Sequence, residues 1–296
     1  MNHNIRHVQT SLLNIACEER GPASGYPVLL LHGWPDDVRT WDGVAAHLNA
    51  AGYRTITPYL RGFGPTRFLS QETMRSGQLS ALGSDIIELA QALNLERFAL
   101  VGHDWGARTA YVVGSEYAEH ISHMVTISVG YGTNDPGRQL SFQQARNYWY
   151  HWYFCLPRGV EMLKISRREL CQFMWESWSP TWQHSNVEFD ETADSFDNPD
   201  WVDITIHSYC HRWGYAEGDP RYDALEHRLA VTPLIRVPTL VLHGGEDAVS
   251  DPATSMNKEH FFTDRYERRV LQNVGHFPQR EDPQAVADEV LRWLNG

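Results

Sequence analysis

The sequence predicts an α/β fold in which a mostly parallel central sheet is flanked by helices and interrupted by an inserted helical segment. Short apolar runs such as residues 28–31 and 98–101 alternate with helical patterns such as residues 82–93. Strands that are apolar on both faces are typical of a parallel sheet covered on two sides. The strand pattern stops after Gly130 and resumes at residues 239–242. One sheet domain with an insertion is the simplest explanation of that break.

The other elements follow in chain order. Residues 5–17 alternate loosely between apolar and polar side chains, as half-buried antiparallel strands do. We expect Gly102 to end the strand at residues 98–101. Further strand candidates are residues 54–57, 124–128 and 267–271, and further helix candidates are residues 108–117 and 283–294. The expected division is a sheet domain made of residues 1–132 and 232–296, with residues 133–231 as the helical insertion.

Charge and composition exclude several kinds of partner. The 296 residues include 25 basic and 37 acidic side chains, a net charge of −12, and no basic stripe could neutralise a nucleic-acid backbone. The N-terminal residues lack a signal-peptide pattern, and no apolar run reaches membrane-spanning length. The four cysteines are widely spaced, with neither a metal-binding nor a disulfide pattern. We expect a cytoplasmic chain without nucleic-acid or membrane partners. Whether it pairs into a homodimer is left open.

Asp104 occupies a position typical of a catalytic nucleophile. It lies in Gly102-His103-Asp104-Trp105-Gly106, between a predicted strand and a predicted helix, and this is the G-x-Nuc-x-G pattern of a nucleophile elbow. Glycines leave room for the crowded turn, and a helix N-terminus favours an anion. A carboxylate that attacked a carbonyl would form an anhydride, whereas attack on saturated carbon forms an alkyl ester that water can cleave. The expected leaving group is therefore an epoxide oxygen or a halide.

Two backbone N–H groups are candidates for an oxyanion hole. An H-G-W-P motif ending at Pro35 follows the predicted strand at residues 28–31. In hydrolases with this elbow, the loop after that strand and the residue after the nucleophile supply the two donors. Here the donors would be Trp34 and Trp105. The sequence leaves open whether the Trp34–Pro35 bond is cis.

An acid and a base complete a predicted triad. Asp247 follows a late strand and is the candidate acid, with Glu246 and Asp251 as weaker competitors. His276 lies in a G-H-F-P sequence before the last helix and is the candidate base. The chain order Asp104, Asp247, His276 matches the nucleophile–acid–base order of such enzymes. His276 would activate water against the ester carbonyl, while Asp247 holds the ring and stabilises its charged form.

The motifs together resemble the α/β-hydrolase epoxide hydrolases. H-G-W-P, R-G-x-G, G-H-D-W-G and G-H-F are spread over nearly the whole chain, although Tyr59 stands where that family usually has Asp. The resemblance implies the α/β-hydrolase fold, with the insertion as a helical cap that carries two tyrosines to hold and protonate the epoxide oxygen. Tyr150 matches the first tyrosine by its Y-x-x-x-F-x-x-P setting. Tyr209 is the candidate for the second, and Tyr215 is the fallback, because the family's W-Y-R context is incomplete here.

Two dehalogenase families share part of this pattern. Haloalkane dehalogenases also use Asp with an adjacent Trp, whose indole N–H holds halide, as Trp105 would. Fluoroacetate dehalogenases resemble the chain in His151-Trp152 and in Arg108, so these three residues are candidates for substrate binding. That family also places an Arg directly after the nucleophile, where this chain has Trp105, which puts carboxylate binding in doubt. Arg108 is also compatible with a structural role in its helix.

The sequence therefore favours two-step hydrolysis of an epoxide to a vicinal diol. A haloalkane or haloacid dehalogenase with the same Asp is the alternative, and a non-catalytic ligand-binding protein is the third hypothesis. The partners would be a small electrophile, an epoxide or an organohalide, and water. The cap tyrosines favour the epoxide, because an alkoxide needs a proton and a halide does not. No metal or organic cofactor is expected, because no His, Cys and Asp cluster has ligand spacing.

Overall fold

A nine-stranded sheet forms the centre of the molecule. The computed structural model describes residues 5–133, 137, 139–184 and 186–296. The strands are β1 (Ile5–Gln9), β2 (Leu13–Arg20), β3 (Pro27–Leu31), β4 (Arg54–Pro58), β5 (Arg67–Phe68), β6 (Phe98–His103), β7 (Ile121–Ile127), β8 (Thr239–Gly244) and β9 (Tyr266–Leu271). The helices are α1 (Asp42–Ala50), α2 (Leu79–Ala92), α3 (Trp105–Glu116), α4 (Phe142–Asn147), α5 (Trp149–Tyr153), α6 (Pro157–Trp178), α7 (Asn186–Ala193), α8 (Trp201–Arg212), α9 (Asp223–Leu229), α10 (Pro278–Glu281) and α11 (Pro283–Leu294).

The sheet is antiparallel at one edge and parallel elsewhere. Its strand order is β1-β2-β4-β3-β6-β7-β8-β9, with β5 paired to β2. Strand β2 runs antiparallel to β1, β4 and β5, whereas every pair from β4 through β3 and β6 to β9 is parallel. The predicted α/β fold and the antiparallel start of the chain are confirmed.

One sequence-based prediction about β6 is wrong. Gly102 does not end the strand, because it continues the parallel ladder between Leu31 of β3 and Thr126 of β7. The strand runs on to His103, and α3 begins directly after the next residue. The turn at Asp104 is therefore a single residue between a buried strand and a buried helix.

The side chains of each central strand alternate between two cores. Along β3, Val28 and Leu30 belong to a cluster with α1 and α11, whereas Leu29 and Leu31 belong to a larger cluster that contains α2, α3 and inserted helices. Alternation with a period of two explains this division. The larger cluster lies on the face of the sheet toward which the insertion packs.

Helices α4 to α9 lie between β7 and β8 in the chain and form the insertion. No strand occurs among residues 139–184 and 186–234. Asn134, the second residue of the predicted insertion, lies outside the described residues, and the domain boundaries stay a prediction. Across the described ranges, every helix is too short or too polar to cross a membrane.

A buried arginine joins the insertion to the sheet domain. Arg280 of α10 donates to Asp36 Oδ1 at 2.6 Å, to Thr192 Oγ1 at 2.8 Å and to Glu188 Oε1 at 3.2 Å. Its guanidinium lies 4.6 Å from the centre of the Trp175 ring. Asp36 belongs to the loop after β3, and the other three partners belong to the insertion. The contacts of Arg280 therefore join α10 to the loop after β3 and to the insertion.

We predict that Arg280→Gln lowers the free energy of unfolding by about 3–5 kcal/mol, because it leaves the buried Asp36 carboxylate without its cation. The matched control is Arg168→Gln, which removes a 38% exposed arginine that pairs with Asp194 and Asp197. The control is expected to cost at most about 1 kcal/mol. Urea unfolding of both variants measures the difference, and equal losses would contradict the structural role of Arg280.

Candidate active site

Close backbone packing holds Asp104 in an unusual conformation. Its φ is 48° and its ψ is −110°, a backbone conformation that residues other than glycine rarely adopt. The turn lies so close to β3 that a Cβ on Gly106 would be 2.2 Å from the Leu31 carbonyl oxygen. Asp104 is largely buried. Its carboxylate is thus fixed at the end of β6, at the N-terminus of α3.

The loop after β3 aims a backbone donor at this carboxylate. The N–H of Trp34 donates to Asp104 Oδ1 at 2.9 Å, and the Trp34–Pro35 peptide bond is cis. A Cβ on Gly33 would lie 2.5 Å from the Cβ of Asp104, so the loop can approach only because residue 33 is glycine. Trp105, the other predicted donor, is the first residue of α3 and is buried.

A neutral histidine supports this loop. Burial lowers the pKa of His32 to about 4. Its Nε2 accepts from the Leu60 N–H at 3.1 Å, so the proton resides on Nδ1, which donates to the Gly33 carbonyl at 2.9 Å. From the sequence, His32 was visible only as the first residue of the H-G-W-P motif, without a predicted role.

The structure brings Asp247, rather than its competitors, against His276. His276 Nδ1 lies 2.9 Å from Asp247 Oδ2. The other oxygen, Oδ1, accepts from the backbone N–H groups of Val249 and Ser250 at 2.9 and 2.8 Å. Glu246 is exposed. The predicted acid and base are therefore in direct contact, with both oxygens of the acid held.

Asp247 and His276 each stabilise the charged form of the other. Burial favours a neutral Asp247, but the charge of His276 and hydrogen bonds from His243 and His276 outweigh it and hold the pKa of Asp247 below its usual range. Burial likewise lowers the pKa of His276, but the charges of Asp247 and Asp104 and the Asp247 hydrogen bond raise it above 6.5 overall. In the described part of the chain, the buried Nε2 of His276 has no hydrogen-bond partner. A ring held in this way can take a proton at Nε2.

Side chains from several elements hold the backbone of His276. Its carbonyl accepts from His103 Nε2 at 2.7 Å and from Ser128 Oγ at 2.9 Å, and its N–H donates to Ser179 Oγ at 2.7 Å. Ser179, at the end of α6, also donates to Glu281 at 2.7 Å. His103 is the last residue of β6, directly before the elbow, so the insertion and both parts of the sheet domain fix the base.

Two tyrosines from the insertion lie close to Asp104. Tyr150 of α5 and Tyr209 of α8 are buried, and their ring centres are 5.2 Å apart. The Tyr209 hydroxyl accepts from the Trp105 indole N–H at 3.2 Å, and the Tyr150 ring stacks on the Trp34 ring at 5.7 Å. The fallback Tyr215 is 65% exposed. Of the tyrosines considered, the structure therefore brings together Tyr150 and Tyr209.

The environment keeps both phenols protonated. Burial raises the pKa of Tyr150 well above 10, and the nearby Tyr209 and Asp104 raise it further. Burial also raises the pKa of Tyr209 well above 10, again with the charge of Asp104. Both side chains are therefore proton donors at neutral pH.

The three predicted substrate-binding residues make different contacts. His151 accepts at Nδ1 from the Trp213 indole N–H at 3.0 Å, and its ring centre is 4.6 Å from that of Tyr209. Trp152 packs against the Trp213 ring at 5.5 Å. Arg108 of α3 donates to Thr133 Oγ1 at 3.1 Å. Of these three, His151 has the described ring contacts to the two tyrosines.

A cavity of about 310 Å³ lies between the insertion and the sheet domain. Arg108 and Tyr111 of α3 line one side of it, and Ser208 and Arg212 of α8 line another. From the sequence, Arg212 was noted only as the displaced Arg of the incomplete W-Y-R context of Tyr209 and was given no role, and Ser179 was not noted at all. Both come to the site through tertiary packing.

Comparison with known proteins assigns the chain to a family. A family model described as alpha/beta hydrolase fold matches residues 26–283. The chain belongs to the alpha/beta hydrolase fold family. This agrees with the strand order and with the elbow at Asp104.

Several individual proteins are similar to this α/β-hydrolase, two of them over nearly its whole length. The soluble epoxide hydrolase of Corynebacterium sp. (strain C12) is 26% identical over 302 residues, with 99% of both chains covered. The crystal structure of an inferred epoxide hydrolase from Klebsiella pneumoniae subsp. pneumoniae MGH 78578 is also similar, with 40% sequence identity and a TM-score of 0.94. The match covers 99% of this chain and 98% of that chain. A fluoroacetate dehalogenase from Burkholderia sp. is 33% identical over 150 residues, which cover 50% of this chain and 48% of the dehalogenase.

We predict that Asp247→Asn lowers the pKa of His276 below its value in the unmodified protein, because burial then acts without the opposing negative charge. NMR titration of the imidazole, assigned by its loss in His276→Gln, measures this. Glu246→Gln, which changes an exposed carboxylate next in sequence, serves as the control and should leave the titration unchanged. An unaltered His276 pKa in Asp247→Asn would contradict the described pairing.

Proposed function

We propose that this α/β-hydrolase hydrolyses an epoxide to a vicinal diol through an alkyl ester on Asp104. The observation that carries the proposal is the buried Asp104 at the elbow together with two buried tyrosines, Tyr150 and Tyr209, whose rings lie side by side next to Trp34 and Trp105. The names of the full-length relatives support the same reaction. In this proposal, residues 133–231 act as a cap over the sheet domain of residues 1–132 and 232–296.

The first step is ring opening. Because Trp34 donates to Oδ1 of Asp104, we assign the attack on the epoxide carbon to Oδ2. The ester bond forms as the ring C–O bond breaks, and the epoxide oxygen takes a proton from Tyr209 or Tyr150. General acid catalysis is needed because an alkoxide is a poor leaving group.

The second step is ester hydrolysis. Water gives a proton to His276 Nε2 and attacks the ester carbonyl carbon of Asp104, while Asp247 stabilises the imidazolium. The N–H groups of Trp34 and Trp105 stabilise the oxyanion that forms on Oδ1. Collapse releases the second alkoxide, which takes the proton from His276. The resulting carboxylic acid of Asp104 returns a proton to the tyrosinate, so the protons balance.

A dehalogenase with the same carboxylate is the alternative. The partial similarity to a fluoroacetate dehalogenase favours it, whereas the Trp105 indole N–H, which would hold halide, donates to Tyr209. Incubation with styrene oxide, bromoalkanes and haloacetates separates the two reactions by assay of diol and halide. Release of halide without any diol would overturn the epoxide proposal.

We predict that Tyr150→Phe and Tyr209→Phe each lower kcat for styrene oxide by about 10²–10⁴, because a proton donor to the leaving oxygen is lost. Tyr215→Phe is the matched control, since its hydroxyl is on an exposed residue, and it should keep full activity. Steady-state formation of the diol measures the effect. Undiminished activity of the Tyr150/Tyr209 double variant would rule out acid catalysis by these phenols.

We predict that a single turnover in heavy-oxygen water places the label in the carboxylate of Asp104, because water attacks the ester carbonyl rather than the epoxide. Excess enzyme, limiting epoxide and mass spectrometry of the peptide containing residue 104 measure this. His276→Gln should instead retain the ester and show the mass of the added substrate. Label in the diol alone would exclude the covalent intermediate.

A further inference from the structure

One edge of the Arg212 guanidinium is buried without a partner. In the described part of the chain, neither Nε nor Nη2 of Arg212 makes a hydrogen bond. These two nitrogens lie on the same edge of the guanidinium, and that edge matches the two oxygens of a carboxylate. Buried donors are nearly always satisfied in proteins, so this edge points to a ligand.

A buried arginine, Arg108, adds positive charge at the same place. Arg108 and Arg212 line the same cavity of about 310 Å³. Burial lowers the pKa of Arg212, and the charge of Arg108 lowers it further. Glu226 also lines this cavity, but its Oε1 accepts from Gln78 and Ser80. An anion between the two arginines would offset their mutual repulsion.

His151 contributes a further donor nearby. Burial lowers the pKa of His151 well below 6.5, and the charges of Arg212 and Arg108 act in the same direction. Because Nδ1 of the neutral ring accepts from the Trp213 indole, the proton resides on Nε2. Across the described residues, this buried Nε2 has no hydrogen-bond partner. His151 thus offers a neutral N–H donor.

These donors lie next to the proposed reaction centre. The Arg212 guanidinium carbon is 5.1 Å from the centre of the Tyr209 ring, and the His151 ring centre is 4.6 Å from it. The Tyr209 hydroxyl bonds to Trp105, which follows Asp104. A small molecule could therefore contact Arg212 with one end while its epoxide lies at Asp104.

We propose that Arg212, with Arg108 and His151, forms a carboxylate-binding subsite, and that the substrate is a small epoxide that carries a carboxylate. This inference rests on the proposed epoxide hydrolysis. The Nε/Nη2 edge of Arg212 binds the two carboxylate oxygens, Arg108 supplies a second positive charge, and the His151 Nε2–H supplies a further donor. The subsite holds the epoxide carbon in reach of Asp104 and selects against neutral epoxides.

The test compares glycidate with its neutral amide, glycidamide. We predict that the unmodified enzyme favours glycidate in kcat/KM by about 10- to 100-fold, since hydrogen bonds between charged groups give a gain of that size. Arg212→Gln should reduce this ratio to about one, and Arg212→Lys, which keeps the charge but loses the two-nitrogen edge, should give an intermediate ratio. The control Arg228→Gln, which removes an exposed arginine paired with Glu116, should keep the ratio.

A binding measurement separates this inference from the proposed reaction. Cyclopropanecarboxylate has the shape of glycidate but cannot react, and isothermal titration should show that it binds at least about tenfold more tightly than cyclopropanecarboxamide, in a manner that depends on Arg212. Inorganic phosphate is the second anion, and tighter binding of phosphate than of the carboxylate would overturn the assignment to carboxylates.

The two failures are distinguishable. If glycidamide and glycidate are hydrolysed equally well and cyclopropanecarboxylate does not bind, the subsite is wrong and the epoxide reaction stands. If no epoxide gives a diol but cyclopropanecarboxylate binds through Arg212, the reaction is wrong and the anion site stands without an epoxide substrate. Thermal unfolding of each variant confirms that it is folded.

Discussion

The close approach of the loop after β3 to the turn at Asp104 is the constraint on which the whole site depends. A non-glycine residue at a φ of 48° costs on the order of 1–3 kcal/mol and persists only where its surroundings enforce it. Here the parallel pairing of β3 with β6 and the absence of side chains at Gly33 and Gly106 enforce it. The consequence is preorganisation, because the Trp34 N–H already points at Asp104 Oδ1, and no backbone rearrangement is needed when charge develops there.

The insertion raises the pKa values of the two tyrosines at the site. Tyr150 and Tyr209 lie in an apolar, aromatic environment, and burial raises the pKa of both. A phenol of this kind does not lose its proton to water or to Asp104, yet an alkoxide from an opening epoxide is a stronger base than the phenolate and can take it. The tyrosines are therefore selective donors in the proposed reaction: they act when the ring C–O bond breaks, and the cost of a buried tyrosinate favours rapid return of the proton.

The fold and the local motifs could be predicted from the sequence, because each motif is marked by residues that lie close together in the chain. The last helix, which runs from Pro283 to Leu294, follows from neighbours in the chain. The Gly-x-Asp-x-Gly turn has a local sequence signature, although the packing of β3 against β6 enforces its conformation. The strand end at Gly102 was predicted wrongly, since pairing with two neighbouring strands overrides the local preference of glycine. Ser179 could not be found, and no role for Arg212 could be assigned beyond its displaced place in the W-Y-R context, because the contacts of both arise only when the insertion packs on the sheet domain. The predicted roles of the site residues, the cytoplasmic location and the homodimer stay predictions.

Charge explains why a site for a carboxylate substrate would need two arginines. The chain has a net charge of −12, and Asp104 is itself an anion, so an anionic epoxide that approached Asp104 would be repelled. Salt screens surface charges over about 8–10 Å but screens buried charges much less. In the proposed subsite, Arg212 supplies positive charge against this repulsion, and Arg108 lines the same cavity. Trp105 stands where fluoroacetate dehalogenases have Arg. In the proposed subsite the second cation comes instead from Arg212 of α8, which lines the cavity together with Arg108, and the Trp105 indole N–H donates to Tyr209.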